Sequence, residues 1–196
     1  MTAIVDYRAG NLTSVQLAFA AIGETATVTD DPEVIVAADR VVFPGVGAAK
    51  SAMESLKRAG LVDAVRSAAL SGRPFLGICL GMQILFDHSE EDGGVDALGI
   101  FKGRVRRFPD QAGFKIPEIG WNQVREVEEK GGGRWKEFYF VHSYYAEIGP
   151  ETVGVSEYAG VEFTAMVKRG KLWACQFHPE KSGRVGLALL KEWLAC

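Results

Sequence analysis

The sequence has few cysteines, and their spacing gives them no obvious structural role. Cys79, Cys175 and Cys196 include no Cys-x-x-Cys pair, which argues against a disulfide framework and against a cysteine-rich zinc site. The three histidines include no pair spaced four residues apart, so we expect no metal site. An odd number of thiols without such spacing is typical of a reducing compartment, and we expect a cytoplasmic protein.

Long hydrophobic runs and a strong charge of one sign are also missing. No apolar run approaches the roughly 18 residues that a membrane-spanning helix needs, and the first residues do not resemble a targeting segment. The formal net charge of -3 gives no electrostatic reason to expect nucleic acid or a membrane as a partner. With 47% hydrophobic residues and no internal repeat or long linker, we expect one globular domain over residues 1–196.

The first half alternates strand-like and helix-like segments, which predicts an α/β fold. Strands are expected at residues 4–7, 25–29, 41–43 and 75–78. Helices are expected at residues 12–22, after Asp31 and Pro32, over about 48–71 with a break near Gly60, and at 80–86. Strands joined through helices pair in parallel and leave helices on both faces of a mostly parallel sheet. Ligands bind beyond the carboxyl ends of such strands.

The second half contains short β-rich segments separated by glycine-containing turns, which predicts hairpins added to one edge of the sheet. The expected strands are residues 99–107, 121–127, 138–141, 152–157, 163–167 and 172–177, with turns that include 131–133, 149–150 and 169–171. A last helix, capped by Ser182, is expected to bury an apolar face made of Val185, Leu189, Leu190, Trp193 and Leu194.

Cys79 lies where an apolar strand meets a helix start, with Gly77 and Gly81 on either side. Glycine at these positions suits a sharp, strained turn that has no space for a Cβ atom. The N–H groups and the positive dipole end of the following helix would favour a thiolate and a developing oxyanion. The pattern predicts a catalytic nucleophile, and the alternative is a cysteine buried in a core strand.

Residues 175–180 offer a base and an acid for this nucleophile. Pro179 keeps His178 extended, so the side chains of His178 and Glu180 are expected on the same side. A carboxylate beside an imidazole fixes its tautomer and supports its protonated form, as a Cys–His–acid triad requires. The alternatives are a surface histidine followed by a turn, or a structural ion pair.

Gly45, Val46 and Gly47 follow the third predicted strand. A dinucleotide or phosphate loop is not indicated, because neither G-x-G-x-x-G nor G-x-x-x-x-G-K-[ST] occurs. The two glycines could let the backbone present an N–H to an oxyanion, with the N–H of Leu80 as the second donor. A tight strand-to-helix turn is the alternative.

These segments stand in the order of the class I glutamine amidotransferase family, which the chain resembles. Residues 77–83 resemble the nucleophile motif, and residues 177–180 resemble the other half of the triad. Within this group the chain is most similar to the glutaminase subunits of imidazole-glycerol-phosphate synthases. Further matches cover nearly the whole chain and comprise Asn11 and residues 44–47, 120–122, 141–144 and 180–182. Arg8, where many relatives have glycine, and residues 118–119, where His-Met is common, depart from the pattern and are expected to affect partner-facing loops.

The resemblance implies a single-domain, flavodoxin-like three-layer fold and a reaction that needs no cofactor. Cys79, His178 and Glu180 would hydrolyse L-glutamine to glutamate and ammonia through a γ-glutamyl thioester. Gly45, Val46, Gly47 and Leu80 would form the oxyanion hole, and glutamine would be held by Gln83, Glu91, His142, Ser143 and Tyr144. Without the resemblance, residues 89–92 would be interpreted as a solvated loop.

The resemblance also implies a partner. Ammonia released into water at neutral pH is mostly protonated and no longer nucleophilic, so the product needs a sheltered path to an acceptor. The implied acceptor is a (β/α)₈-barrel cyclase subunit, paired as a heterodimer, that makes imidazole glycerol phosphate and an aminoimidazole carboxamide ribotide. The interface candidates are Asn11, Trp121, Tyr139 and Lys181. The alternatives are a glutaminase subunit of another synthase, such as anthranilate or aminodeoxychorismate synthase, and a non-catalytic regulatory subunit of the same fold.

Overall fold

The computed structural model describes residues 1–8, 11–127 and 135–196. Its helices are α1 (Leu12–Ala21), α2 (Pro32–Ala37), α3 (Ala49–Arg58), α4 (Val62–Leu70), α5 (Leu80–Gln83) and α6 (Gly183–Leu194). Its strands are β1 (Thr2–Val5), β2 (Ala26–Thr29), β3 (Arg40–Gly45), β4 (Phe75–Cys79), β5 (His88–Ser89), β6 (Val95–Asp96), β7 (Arg104–Arg107), β8 (Glu118–Glu126), β9 (Trp135–His142), β10 (Tyr144–Ala146), β11 (Thr152–Tyr158), β12 (Val161–Arg169) and β13 (Leu172–Cys175). The glycine turn predicted at 131–133 lies outside the described residues. None of the helices in the described part of the chain is long and apolar enough to cross a membrane.

The strands form one sheet with a parallel part and an antiparallel part. The order runs β2-β1-β3-β4-β13 and continues through β12, β10, β7, β5 and β6. These five strands pair in parallel. The alternation with helices predicted this for β1, β2, β3 and β4, whereas β13 belongs to the segment 172–177 that was predicted among the hairpins at the sheet edge. Beyond β13 the pairs are antiparallel apart from β5 with β7, and β11, β8 and β9 branch from β12. The predicted parallel core and added hairpins are present, and the complete sheet is mixed.

Helices cover both faces of the parallel part because apolar side chains alternate along its strands. In β3, Val41 and Phe43 pack in one core with α2, α3 and α4, whereas Val42 packs in a second core with α1 and α6. Leu189 and Trp193 of α6 are buried in the second core, which confirms the predicted apolar face. The result is three layers with the sheet in the middle.

The helix after the cysteine strand is shorter than predicted. It ends at Gln83 instead of continuing to Phe86. The N–H groups of Leu85 and Phe86 bond the carbonyl oxygens three residues earlier, in Met82 and Gln83, instead of four residues earlier as in an α-helix. The carbonyl oxygens of residues 84–86 accept hydrogen bonds from the N–H groups of residues 98–101. The same segment displaces the first part of the strand predicted over 99–107, where only β7 forms. The predicted helix end at Phe86 and the predicted strand start at residue 99 are both wrong.

Ser182 stands at the start of α6, but its hydroxyl is used elsewhere than in the predicted cap. The hydroxyl donates to the carbonyl oxygen of His178 at 2.7 Å and accepts the N–H of Tyr139 at 3.0 Å. These two hydrogen bonds tie β9 to the turn that carries His178, so Ser182 helps to position the predicted base.

Candidate active site

Cys79 ends β4 on a sharp turn into α5. Its backbone has a positive φ of 55° with ψ of -114°, a conformation that is uncommon for a residue with a Cβ atom and is found at strained functional turns. Gly81 approaches β3 so closely that an added Cβ would lie inside the van der Waals surface of the Phe43 carbonyl oxygen. The turn therefore has the sharp geometry and the need for glycine that the sequence predicted.

The three predicted triad side chains lie together. The Nδ1 atom of His178 is hydrogen-bonded to Oε1 of Glu180 at 2.7 Å, and His178 and Cys79 line the same cavity. The side chains of His178 and Glu180 are only 5% and 2% exposed. The backbone N–H of His178 donates to the carbonyl oxygen of Tyr139 at 2.9 Å, which anchors the imidazole to β9.

The surroundings of His178 determine its charge. Burial lowers the pKa of the imidazole, but hydrogen bonds to Cys79 and Glu180 and the negative charges of these partners outweigh burial and raise the pKa to about 10. The surroundings of His178 therefore favour the protonated imidazole at neutral pH.

We expect this charge to make the stability of the triad region depend on pH. A pKa raised from 6.5 to about 10 means that the stabilisation from protonated His178 is complete below about pH 6.5 and is lost as the pH rises through about 10. The free energy of unfolding of wild type should exceed that of His178→Asn by a margin that shrinks between about pH 6 and pH 10.5, as measured by urea denaturation. A margin that stays constant or grows would contradict the assigned charge.

The end of β3 lies directly beside the nucleophile. Gly45 is in register with Cys79 across the pairing of β3 with β4, while Val46, Gly47 and Leu80 line the same cavity as the thiol. N–H groups in the first turn of a helix lack an acceptor within that helix, so the N–H of Leu80 is available to an oxyanion. Because α5 has four residues, its dipole contributes less than the sequence suggested.

A cavity of about 290 Å³ opens above Cys79. Its volume is roughly that of ten water molecules, which suits a substrate of the size of an amino acid. The cavity wall contains all five residues predicted to hold the substrate, namely Gln83, Glu91, His142, Ser143 and Tyr144.

Gln83 is already hydrogen-bonded within the protein. Its Nε2 atom donates to the carbonyl oxygen of Tyr144 at 2.8 Å and to Oε1 of Gln176 at 2.9 Å. Both amide hydrogens are therefore used, and the side-chain oxygen is the atom that Gln83 can offer to a substrate. Gln176 was not predicted as a site residue from the sequence, although it accepts this hydrogen bond from Gln83.

Glu91 accepts a hydrogen bond from a helix in another part of the chain. Its Oε2 atom accepts the N–H of Ala49 at 2.6 Å, at a helix start where the side chain of Ala48 cannot act as a cap. Partial burial raises the pKa of Glu91, the hydrogen bond from Ala49 lowers it, and the charge of Asp92 raises it. The carboxylate is part of the cavity wall instead of a solvated loop, and it fixes the helix that follows residues 45–47.

His142 lies in the cavity wall, but both of its ring nitrogens are engaged within the protein. Its Nε2 atom lies 2.8 Å from Oε2 of Glu118, and its Nδ1 atom lies 2.8 Å from the carbonyl oxygen of Tyr144. Glu118 is buried, and its other oxygen accepts from Asn122 at 2.7 Å. The departure at Glu118 therefore affects the cavity wall, whereas the expected effect on partner-facing loops stays a prediction. Because both ring nitrogens of His142 are engaged, a polar contact with a substrate would have to come from its backbone.

Glu118→Leu is expected to lower the free energy of unfolding by about 3–5 kcal/mol, because it leaves the buried ring of His142 without its carboxylate partner and removes one acceptor of the half-buried Asn122. The double variant Glu118→Leu/His142→Leu should recover part of this loss, since it removes both polar partners. Urea denaturation of both variants measures the difference. A loss below about 1 kcal/mol in the single variant would show that the pair contributes little.

Three of the four predicted interface residues form one surface patch. Trp121 and Tyr139 are paired across β8 and β9 with ring centroids 6.2 Å apart, and Nζ of Lys181 lies 6.0 Å from the Tyr139 ring centroid. Trp121 is 56% exposed, and Lys181 also lines the cavity. Asn11 begins α1, which contacts the turn Pro179–Lys181. The aromatic patch of Trp121, Tyr139 and Lys181 therefore adjoins the mouth of the cavity.

Comparison with known proteins defines the family. The profile described as glutamine amidotransferase class-I matches residues 3–195, and the chain belongs to this family. The resemblance inferred from the sequence is thereby confirmed, and with it the prediction that the chain is a glutamine amidotransferase.

Curated relatives narrow the similarity further. The imidazole glycerol phosphate synthase subunit HisH of Moorella thermoacetica is 50% identical over 197 residues, which cover 97% of this chain and 92% of the relative. The subunit of the same name from Methanothermobacter thermautotrophicus is 47% identical, over 99% of this chain and 98% of the relative. The subunit from Streptococcus sanguinis is 42% identical, over 98% of this chain and 95% of the relative.

Solved structures confirm the fold. A structure described as a glutamine amidotransferase superposes with a TM-score of 0.75 at 19% identity, over 98% of this chain and 97% of that chain. PurLQS from Thermotoga maritima gives a TM-score of 0.72 at 18% identity, over 99% of this chain and 97% of that chain. The predicted class I amidotransferase fold is therefore correct.

Proposed function

We propose that this chain is the glutaminase subunit of an imidazole glycerol phosphate synthase, with residues 1–196 forming one amidotransferase domain. The observation that carries the proposal is that Cys79 and His178 line one cavity while the buried side chain of Glu180 is hydrogen-bonded to His178. The 42–50% identity to curated subunits of that synthase, over nearly the whole chain, supports this particular synthase.

In the first step of the proposed reaction, the sulfur of Cys79 attacks the side-chain amide carbon of glutamine. The carbonyl oxygen becomes an oxyanion, which the N–H groups of Leu80 and of residues 45–47 stabilise. The register of Gly45 with Cys79 supports this role, since it brings the end of β3 to the reacting sulfur.

His178 transfers two protons in the rest of the reaction, one to the departing ammonia and one from the attacking water. As the C–N bond breaks, the protonated imidazole gives its proton to the departing ammonia and leaves a γ-glutamyl thioester on Cys79. The neutral imidazole then takes a proton from water, which attacks the thioester and releases glutamate and the thiolate. Glu180 keeps the imidazole oriented through its hydrogen bond to Nδ1.

The amino-acid end of glutamine is proposed to lie on the side of the cavity away from the triad. The carboxylate of Glu91 is suited to the substrate ammonium group, and the side-chain oxygen of Gln83 can accept one further hydrogen bond. Ser143 and Tyr144 complete this subsite. Their common position in the cavity wall supports the assignment.

Ammonia from this cavity is proposed to pass to a (β/α)₈-barrel cyclase subunit. Trp121 exposes a large apolar ring beside Tyr139 and Lys181 at the cavity mouth, and aromatic residues are enriched at protein interfaces. A subunit that covers this patch, and Asn11 near it, would receive ammonia without exposing it to water.

The test is synthesis by the chain combined with the cyclase subunit and its nucleotide substrate. With glutamine as nitrogen source, we expect one glutamate for each imidazole glycerol phosphate formed. Synthesis with ammonia but not with glutamine would indicate a non-catalytic subunit. Glutaminase activity that responds only to a chorismate-converting subunit would support the alternative synthase.

A further inference from the structure

A buried glutamine beside the nucleophile has no part in the reaction described above. Gln176 is fully buried, and its backbone N–H donates to the carbonyl oxygen of Ala165 at 2.9 Å. Its side chain lies between Gln83 and Cys79, with Oε1 2.9 Å from Nε2 of Gln83 and Nε2 3.7 Å from the Cys79 sulfur. The amide thus bridges the cavity wall and the reacting atom.

The direction of these hydrogen bonds follows from the backbone carbonyl of Tyr144. A carbonyl oxygen only accepts, so the atom of Gln83 that lies 2.8 Å from it has to be the nitrogen. The same nitrogen lies against Gln176, whose facing atom therefore has to be its oxygen. Reversing either amide would place two donors or two acceptors against each other. The nitrogen of Gln176 is consequently turned toward the Cys79 sulfur.

Building on the proposed function, we infer that Gln176 is a positioning residue that donates an N–H to the Cys79 sulfur and favours its thiolate form. Hydrogen bonds to a charged acceptor are stronger than those between neutral groups. The carbonyl oxygen of Val141, 3.7 Å from the sulfur, can interact favourably only with the protonated thiol. Gln176 and Val141 thus favour opposite protonation states of the same atom.

The row formed by the Tyr144 carbonyl, Gln83, Gln176 and Cys79 connects the substrate side of the cavity with the nucleophile. Gln83 and Tyr144 line the cavity, and the amide orientation that they impose reaches Cys79 through Gln176. Gln83 is hydrogen-bonded to Tyr144 and Gln176 and not to Cys79. A change that reverses the Gln83 amide would nevertheless turn the Gln176 amide and so remove the donor at the sulfur.

The test is the pH profile of Cys79 alkylation by iodoacetamide in the full chain, which requires no glutamine turnover. All variants carry Cys196→Ser, because Cys196 is a half-buried thiol that the reagent can also reach, whereas Cys175 is fully buried. Gln176→Met keeps a similar size and removes the donor. We expect its alkylation rate at pH 7, relative to its own alkaline plateau, to fall about tenfold below that of the parent.

Two further variants separate positioning from a general loss of packing. Ser156→Ala removes a buried hydroxyl that donates to the carbonyl oxygen of Gln123 at 2.8 Å between β11 and β8, and it should leave the profile unchanged. Gln83→Leu should shift the profile in the same direction as Gln176→Met. The double variant should go no further than Gln176→Met alone, since both changes act through one donor.

An unchanged profile in folded Gln176→Met overturns the inference. If circular dichroism shows that Gln176→Met is unfolded, Gln176→Glu decides instead, because it keeps an acceptor toward Gln83 and places a carboxylate against the sulfur. Alkylation at pH 7 should then be suppressed at least as strongly, and a parent-like profile again overturns the inference. Failure of the proposed function is seen separately, as absence of glutamine-dependent synthesis by the wild-type complex.

Discussion

Cys79→Ala is expected to abolish glutamine-dependent synthesis by the complex while synthesis from added ammonia continues. Without the sulfur no γ-glutamyl thioester can form, so glutamate release should fall by at least about 10⁴-fold, the scale of losses when the nucleophile of a triad is removed. The small side chain leaves the turn and the cavity wall in place. The partner's own reaction should therefore proceed at its wild-type rate when ammonia is supplied.

Glutamate release and imidazole glycerol phosphate formation are measured in parallel, with glutamine and with an ammonium salt. Cys196→Ser is the matched control, because it removes a thiol at the far end of α6 and should change neither rate. Loss of both glutamine- and ammonia-dependent synthesis in Cys79→Ala would contradict the proposed division of labour between the two subunits.

Gly81→Ala is expected to reduce both activity and stability. Its Cβ would overlap the carbonyl oxygen of Phe43, so the turn that carries Cys79 and the end of β3 have to separate. A displacement of about 1 Å between the sulfur and the oxyanion donors can cost about 10²-fold in rate. Overpacking of backbone against backbone adds roughly 1–3 kcal/mol of destabilisation.

Gly149→Ala is the control for this variant, because its Cβ would meet only the carbonyl oxygen of Lys102, at an ordinary contact distance of 3.8 Å. Glutaminase turnover and urea denaturation are measured for both variants. A Gly81→Ala enzyme with turnover and stability equal to those of Gly149→Ala would show that the close approach of α5 to β3 is not needed for catalysis.

The sequence predicted the parts of the fold that depend on local chemistry. Asp31 caps α2 and Pro32 occupies its first turn, as expected from their residue types. The four early strands pair in parallel because apolar strands joined by helices have few other arrangements. The candidate triad could also be predicted from the sequence, since Pro179 and the glycines around Cys79 constrain the backbone where the functional side chains lie.

The parts that the sequence did not predict depend on contacts between distant segments. The segment that follows α5 is bonded to residues 98–101, a pairing that no local pattern in 80–86 indicates. The strands β5 and β6 have two residues each, which is too short for a periodic pattern. Gln176 lies two residues before the predicted base in the sequence. The orientation of its amide depends, through Gln83, on the carbonyl of Tyr144, more than thirty residues away, and no local sequence pattern indicates such a contact.

The two departures from the family pattern have different physical meanings. Arg8 has a positive φ of 64°, a conformation that glycine adopts at little cost, so glycine is the expected residue at this turn. Glu118 instead provides the buried acceptor for His142. The first departure changes the surface beside Asn11, and the second changes the support of the cavity wall.

The most direct test of the account is glutamate release by the isolated chain and by the chain copurified with the cyclase subunit, with and without the nucleotide ligand of the cyclase. We predict that the isolated chain turns over glutamine slowly and that residues 45–47 adopt the oxyanion-binding arrangement only after docking. The liganded complex should be faster by at least the roughly 5- to 150-fold that is typical of coupled sites. Equal turnover by the isolated chain and the liganded complex would contradict the account.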